Sequence, residues 1–292
     1  MTETPSATPA ETPEAAAPAK PGKKEESLLG FLVFLLKLAA IVLIIRSFVF
    51  APFSIPSESM LPRLINGDHL IASKWNYGIS NNSLPFGWQP FPEGRLFAGQ
   101  PERGDVAIFK HPKTGEDYIK RVIGLPGDEI QMKGGVLFIN GKPVEKERVA
   151  DFEIATSANT KCHPTGGSEA TREDGTRICR YERYRETLPN GVSYNVLDFG
   201  PVGVNPIDRI DPDNTTPDIV PQGHLFMMGD NRDNSRDSRW PAAPHDSVGM
   251  VPQDLLVGKA QVMMWSTDGS ARWLLPWTWF TAARWSRIGG GI

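Results

Sequence analysis

Two residue types in this sequence could together do acyl chemistry without a histidine. One is Ser59, in the run Ser-Ile-Pro-Ser-Glu-Ser-Met-Leu-Pro-Arg-Leu-Ile-Asn-Gly-Asp from Ser54 to Asp68. The other is Lys120, in Asp-Tyr-Ile-Lys-Arg-Val-Ile from Asp117 to Ile123. A serine hydroxyl is a weak nucleophile until a base takes its proton, and a Ser–Lys pair is an established form of that arrangement. Lysine can be the base only if burial brings its pKa from about 10.4 toward the working pH, by penalising the ammonium. Lys120, between Ile119 and Val122, is a candidate for such burial. Each residue also has a plainer reading. A lysine in a strand is usually an outward-facing, solvated side chain. The Ser59 run, with Pro56 and Pro62 fixing φ and restricting the residues before them, reads equally as a stiff linker. There is no Gly-x-Ser-x-Gly elbow. None of the five histidines has metal-ligand spacing, and two cysteines cannot build a zinc knuckle. No metal and no other cofactor is expected.

Elements able to position these residues follow from the chain pattern. Residues 1–27 are rich in Ala, Pro, Thr, Glu and Lys without an aromatic, the composition of a disordered tail. Leu28 to Phe50 is apolar for about the length of a bilayer core, interrupted by Lys37 and Arg46, and reads as a single spanning helix. Lys20, Lys23 and Lys24 before it favour a cytoplasmic N-terminus, although Arg46 blunts the signal. The 26 prolines and 28 glycines then suit a loop-rich β structure, with strands expected near Asp68–Trp75, Gly104–Phe109, Asp117–Ile123, His224–Met228 and Leu256–Ser266. Val136 to Gly141 carries an Asn-Gly hairpin signal. Leu84 to Phe97, with Phe86, Trp88 and Phe91, reads either as a loop capping the core or as an aromatic lip at a membrane interface. Trp273, Trp277, Trp279 and Trp285 read as core-closing strands or as a second membrane-facing patch. Residues 145–221 are polar and irregular and hold Cys162 and Cys179, a disulfide in an oxidising compartment and otherwise two thiols. Gly229 to Arg239 alternates its charge signs and misfits an EF-hand, which favours an internally paired polar network. A net charge of −3 gives no basic face for nucleic acid.

Three separated boxes resemble bacterial type I signal peptidase (leader peptidase), a membrane-bound Ser–Lys endopeptidase. They are Pro56-Ser-Glu-Ser-Met-Leu-Pro62; Arg103-Gly-Asp105 with Tyr118-Ile-Lys-Arg-Val-Ile-Gly-Leu-Pro-Gly-Asp128; and Gly229-Asp-Asn-Arg-Asp-Asn-Ser235 through Asp237-Ser-Arg239. The ending Ser286-Arg-Ile-Gly-Gly290 is also similar. The resemblance implies a mainly β fold: a large antiparallel sheet domain from residues 51–128 and 222–292, a β-rich subdomain inserted at 129–221, and one N-terminal transmembrane helix at 28–50. Carried over by position, Ser59 is the nucleophile and Lys120 the general base. Ser235 orients the lysine, and the Ser57 hydroxyl with the Ser59 N–H forms the oxyanion hole. Arg121 pairs with Asp230 and Asp237 with Arg239. Ile55, Met60, Leu64, Tyr118 and Ile119 line shallow apolar pockets. Glu58 and Arg63 depart from the commoner glycine and threonine.

The resemblance further implies partners and place. Substrates would be exported preproteins with small side chains at the first and third positions before the cut, met at the surface of a phospholipid bilayer. The enzyme would sit in the bacterial inner membrane, its catalytic domain on the extracytoplasmic side. The alternatives are a self-cleaving, repressor-like Ser–Lys protease and a non-catalytic membrane-anchored envelope protein.

Overall fold

The first element is an α-helix, α1 (Leu28–Phe48), whose residues from Leu28 to Arg46 are all exposed. It ends two residues short of the expected Phe50, which instead opens the first strand. At 1.5 Å per residue it is roughly 31 Å long, close to the ~30 Å of a bilayer core. The structure, a computed structural model, describes residues 28–84, 91, 94–164, 166–205, 208–272 and 274–292. The expected tail at 1–27, Phe86, Trp88 and Trp273 lie outside the described residues. By internal contacts the chain divides within α1 into two units, Met1–Ile41 and Val42–Ile292.

The second unit is mainly β. In chain order its strands are β1 (Phe50–Ser54), β2 (Asp68–Ser73), β3 (Val106–Lys110), β4 (Asp117–Gly124), β5 (Glu129–Lys133), β6 (Val136–Ile139), β7 (Lys142–Pro143), β8 (Glu145–Ala155), β9 (Ser168–Thr171), β10 (Arg177–Thr187), β11 (Ser193–Leu197), β12 (Asp218–Ile219), β13 (His224–Met228), β14 (Val251–Pro252) and β15 (Leu256–Ser266). Seven of them form one antiparallel sheet in the order β1-β2-β15-β3-β4-β13-β14. A second sheet runs β11-β10-β8, with β9 also on β10, and a third runs β12-β5-β6-β7. Asn140 and Gly141, both at positive φ, turn the chain between β6 and β7 as their Asn-Gly pair implies.

One core cluster takes Ile123 and Met228 from the large sheet, Ile130 and Leu137 from the third, and Val196 from the second. Residues of the 129–221 stretch therefore share a core with the large sheet. A second cluster packs Ile55, Met60 and Leu64 against Leu70, Ile108 and Val257.

The stretch 145–221 is less irregular than its polarity suggests, since β8 and β10 are eleven residues each. Their charges pair across the sheet: Glu153, opposite Arg180, receives both Arg180 and Arg172. Ile154, Ile178, Cys179 and Tyr181 of these strands are buried. The described C-terminal tryptophans do not close the core as strands. Trp277 and Trp279 lie in a short helix, α2 (Trp277–Thr281), Trp285 follows it, and all three are exposed.

Cys162 and Cys179 form a disulfide with Cα atoms 5.2 Å apart. Closing a loop of this size restricts the unfolded chain by roughly 3 kcal/mol. The Cys162→Ser/Cys179→Ser double variant should unfold at a clearly lower urea midpoint; an unchanged midpoint would show that packing alone holds this stretch.

Candidate active site

The loop carrying Ser59 is pinned at both ends. Ile55 N–H donates to the Asp68 carbonyl (2.8 Å), and Gly67 N–H to the Ile55 carbonyl (3.0 Å). Within it Leu61 N–H reaches the Glu58 carbonyl (3.1 Å) and Leu64 N–H the Met60 carbonyl (2.9 Å), a turn that the wholly buried Met60 and Leu64 root in the core. The buried Asp68 carboxylate accepts from Ile65 N–H (2.7 Å), Ser266 Oγ (2.6 Å) and Arg287 Nη2 (2.6 Å). Asp68 thus ties the loop to β15 and to the C-terminal segment. Sequence reasoning assigned it no role, although Arg287 lies in the ending whose likeness was noted.

Lys120 sits in β4, with Ala107 of β3 opposite it. It is 4% exposed and its Nζ lies 2.6 Å from Ser59 Oγ. The reading of an outward, solvated lysine therefore does not hold. Burial lowers its pKa to about 8, against the opposing fields of Asp237 and Asp230. Both carboxylates are taken by arginines. Arg121 binds Asp230 with Nε on Oδ1 (2.7 Å) and Nη2 on Oδ2 (2.6 Å), and its Nη1 donates to the Gly104 carbonyl (2.7 Å). Arg239 binds Asp237 with Nε on Oδ1 (2.9 Å) and Nη2 on Oδ2 (3.0 Å). Burial alone would raise the Asp237 carboxyl, but Arg239 and the Gly229 N–H hold it below the usual carboxylate range.

The segment after β13 folds over Ser59. Asn231 N–H donates to the Ser59 carbonyl (3.0 Å) and Asn231 Nδ2 to the Glu58 carbonyl (3.1 Å). Gly229 allows this approach, because a Cβ there would stand 2.3 Å from Ser235 Oγ and 2.5 Å from the Ser59 carbonyl oxygen. Ser57 Oγ is 3.4 Å from Ser59 Oγ. Ser235 Oγ is buried and, among the described residues, makes no hydrogen bond. A cavity of about 270 Å3 opens beside the pair, bordered by Ser57, Ser59 and Lys120 and walled by Ile55, Tyr118 and Ile119. Met60 and Leu64, expected in its pockets, do not border it; they are wholly buried in the core cluster with Ile55.

A second buried ionic group had no assigned role in the sequence reading. Arg232 forms an ion pair with Glu186 of β10, and the Tyr194 hydroxyl donates to the same carboxylate (2.8 Å). Glu186 stands in a run of alternating charges that gives no sign of burial in sequence. It anchors the segment after β13 to the second sheet.

The family model for signal peptidase, peptidase S26, matches residues 28–265. Signal peptidase I of Rickettsia typhi is 38% identical over 230 residues, 78% of this chain and 76% of that protein. Signal peptidase I of Rickettsia conorii is 36% identical over 251 residues, 85% of this chain and 81% of that protein. A solved signal peptidase I from Enterococcus faecalis V583 aligns over 55% of this chain and 96% of that one. It has 22% identity and a TM-score of 0.27, too low to bear on the fold. The chain belongs to the signal peptidase family, peptidase S26. It is a serine endopeptidase, and its activity is the cleavage of signal peptides.

Removing one partner of a buried ion pair costs about 3–5 kcal/mol, because the other charge is left unpaired. Glu186→Ala should therefore lower the urea-unfolding free energy by about that amount. Arg172→Ala, on the exposed pair with Glu153, should leave it close to the wild-type value. Similar small effects of both would remove the structural role given to Glu186.

Proposed function

We propose that Ser59 is the nucleophile and Lys120 the general base of this signal peptidase. The observation that carries the reading is the 2.6 Å contact between Lys120 Nζ and Ser59 Oγ. The neutral amine takes the hydroxyl proton as Ser59 Oγ bonds to the scissile carbonyl carbon. The oxyanion is held by the Ser59 N–H and the Ser57 hydroxyl. Collapse breaks the carbon–nitrogen bond, and the Lys120 ammonium returns its proton to the leaving amine. Lys120 then deprotonates a water that attacks the Ser59 ester, and the second collapse frees the acid and gives Ser59 back its proton. Rotation of the unpartnered Ser235 hydroxyl would supply a hydrogen bond that steers the amine. Arg121–Asp230 and Asp237–Arg239 support the site.

The cleavage strand lies along β4 where β13 has left it. β13 pairs with β4 only from Arg121 onward, so Asp117–Lys120 has no strand on that side among the described residues. Backbone pairing there gives affinity with little demand on sequence. The cavity walled by Ile55, Tyr118 and Ile119 suits small side chains, which favours alanine at the first and third positions before the cut. Met60 and Leu64 give those walls their backing. The helix α1 is the single membrane span, with its N-terminus in the cytoplasm and residues 51–128 and 222–292 outside it as the catalytic domain. Exported preproteins then meet the site at the bilayer surface at high effective concentration.

Cleavage of a preprotein with an Ala-x-Ala site, followed in detergent, tests this reading. Ser59→Ala and Lys120→Ala, each shown to be folded, should lower kcat/KM by at least about 100-fold. Cleavage surviving in Lys120→Ala would remove the base. The pH profile is a separate test. A lysine pKa lowered to about 8 means that kcat/KM rises tenfold per pH unit below that value and levels above it. An inflection near pH 10 would mean a base that is not desolvated.

A further inference from the structure

A second cavity, of about 580 Å3, opens beside the last turn of α1, distinct from the one over Ser59 although Phe53 and Asp117 border both. Arg46 of that turn, Lys74 just after β2 and Lys110 at the end of β3 bring three cations to it, and Leu43 and Phe53 give it an apolar side. Its one bordering carboxylate, Asp117, pairs with Lys110 at 2.8 Å. Among the described residues neither Arg46 nor Lys74 has an ion pair. Lys74 is 4% exposed, and its Nζ donates to the Ser83 carbonyl. Two positive charges are thus gathered with no counter-charge, one of them out of water, where an unpaired charge is costly. The amine responds: burial first, then Arg46 and Lys110, lower Lys74 to about 8, and Asp117 opposes them only in part. An anion in the cavity would relieve both the desolvation and the repulsion.

The shape of the anion follows from the donors. An arginine fork and a lysine point charge converging on one cavity are the donor set of a phosphate group, the first by paired hydrogen bonds and the second by charge. The depth follows from the helix. Arg46 is the third residue from the end of α1 and Leu43 lies one turn deeper. On the reading that α1 crosses the bilayer, on which this inference rests, the cationic wall is level with the headgroups and the apolar side faces the first acyl carbons. We propose that this cavity binds the phosphate diester of a membrane phospholipid, with Arg46 and Lys74 as its ligands. The same contacts would accept free phosphate, so the source of the group has to be tested as well.

The test uses the full chain in an uncharged maltoside detergent, titrated calorimetrically with dihexanoyl phosphatidylglycerol, with dihexanoylglycerol and with inorganic phosphate. The expected result is binding of the phospholipid, none of the phosphate-free glyceride, and much weaker binding of inorganic phosphate. Arg46→Gln and Lys74→Gln should each weaken the phospholipid at least tenfold, and Lys113→Gln, an exposed lysine outside the cavity, should leave it unchanged. Equal affinity in wild type and both glutamine variants would overturn the site. Inorganic phosphate binding as tightly as the lipid would overturn the lipid assignment and leave a phosphate site. If Lys74→Gln does not fold, Arg46→Gln carries the comparison. Alkali-resistant sedimentation with membranes tests the spanning helix independently. Pelleting together with unaltered lipid affinity in the variants sinks the cavity alone. Failure to pellet, with phosphate binding intact, sinks the span alone.

Discussion

Desolvation of one amine is the constraint on which the rest of the site depends. Burial lowers the Lys120 pKa to about 8, yet the segment that covers it carries Asp230 and Asp237, whose fields favour the ammonium. The conflict is resolved by giving each carboxylate an arginine of its own. Arg121 and Arg239 both engage their partners through two donors, and the Arg239 charge offsets part of the carboxylate fields at the lysine. The two arginines therefore shape the electrostatics of the amine as well as the position of the loop. A carboxylate freed of its arginine would be a counter-ion for Lys120.

Such an arrangement is expensive to bury, and the fold meets that cost by tying the group together from several directions. The large sheet places Lys120 and Arg121 side by side on β4. Asp68 fastens the Ser59 loop to β15 and, through Arg287, to the end of the chain. Glu186 and Tyr194, from the second sheet, hold Arg232 three residues before Ser235. The stretch 129–221, through Glu186 and Tyr194, thus supports the segment that closes over Ser59 and Lys120. Its apolar residues continue into the same core as Ile123 and Met228.

What could be read from the sequence was whatever depends on local pattern. The apolar length of α1, the loose alternation of β2, the short apolar runs of β3 and β13, and the Asn-Gly turn are set by residues that touch in sequence. What sequence could not decide was burial. Lys120 and a surface lysine look alike in a strand, because the difference lies in β3 and in the loop after β13, more than a hundred residues on. Glu186 is the same case: its neighbours Arg185 and Thr187 are polar, and only the second sheet places it in the core. The aromatic C-terminus left two readings open, and helix α2 settles the one about strands by leaving three tryptophans exposed.

Gly229 bears no functional group, yet it stands where the closing segment passes the Ser59 carbonyl with no room for a side chain. A methyl group at that position would push apart Ser235 and the Ser59 carbonyl, and with them the seam between two loops that meet nowhere else in sequence. In a survey of substitutions, position 229 would tolerate nothing but glycine and, with Ser59 as the proposed nucleophile, would look as indispensable as that serine. The two intolerances have different origins, one in chemistry and one in empty space. Only the first would be relieved by supplying the missing group in another form.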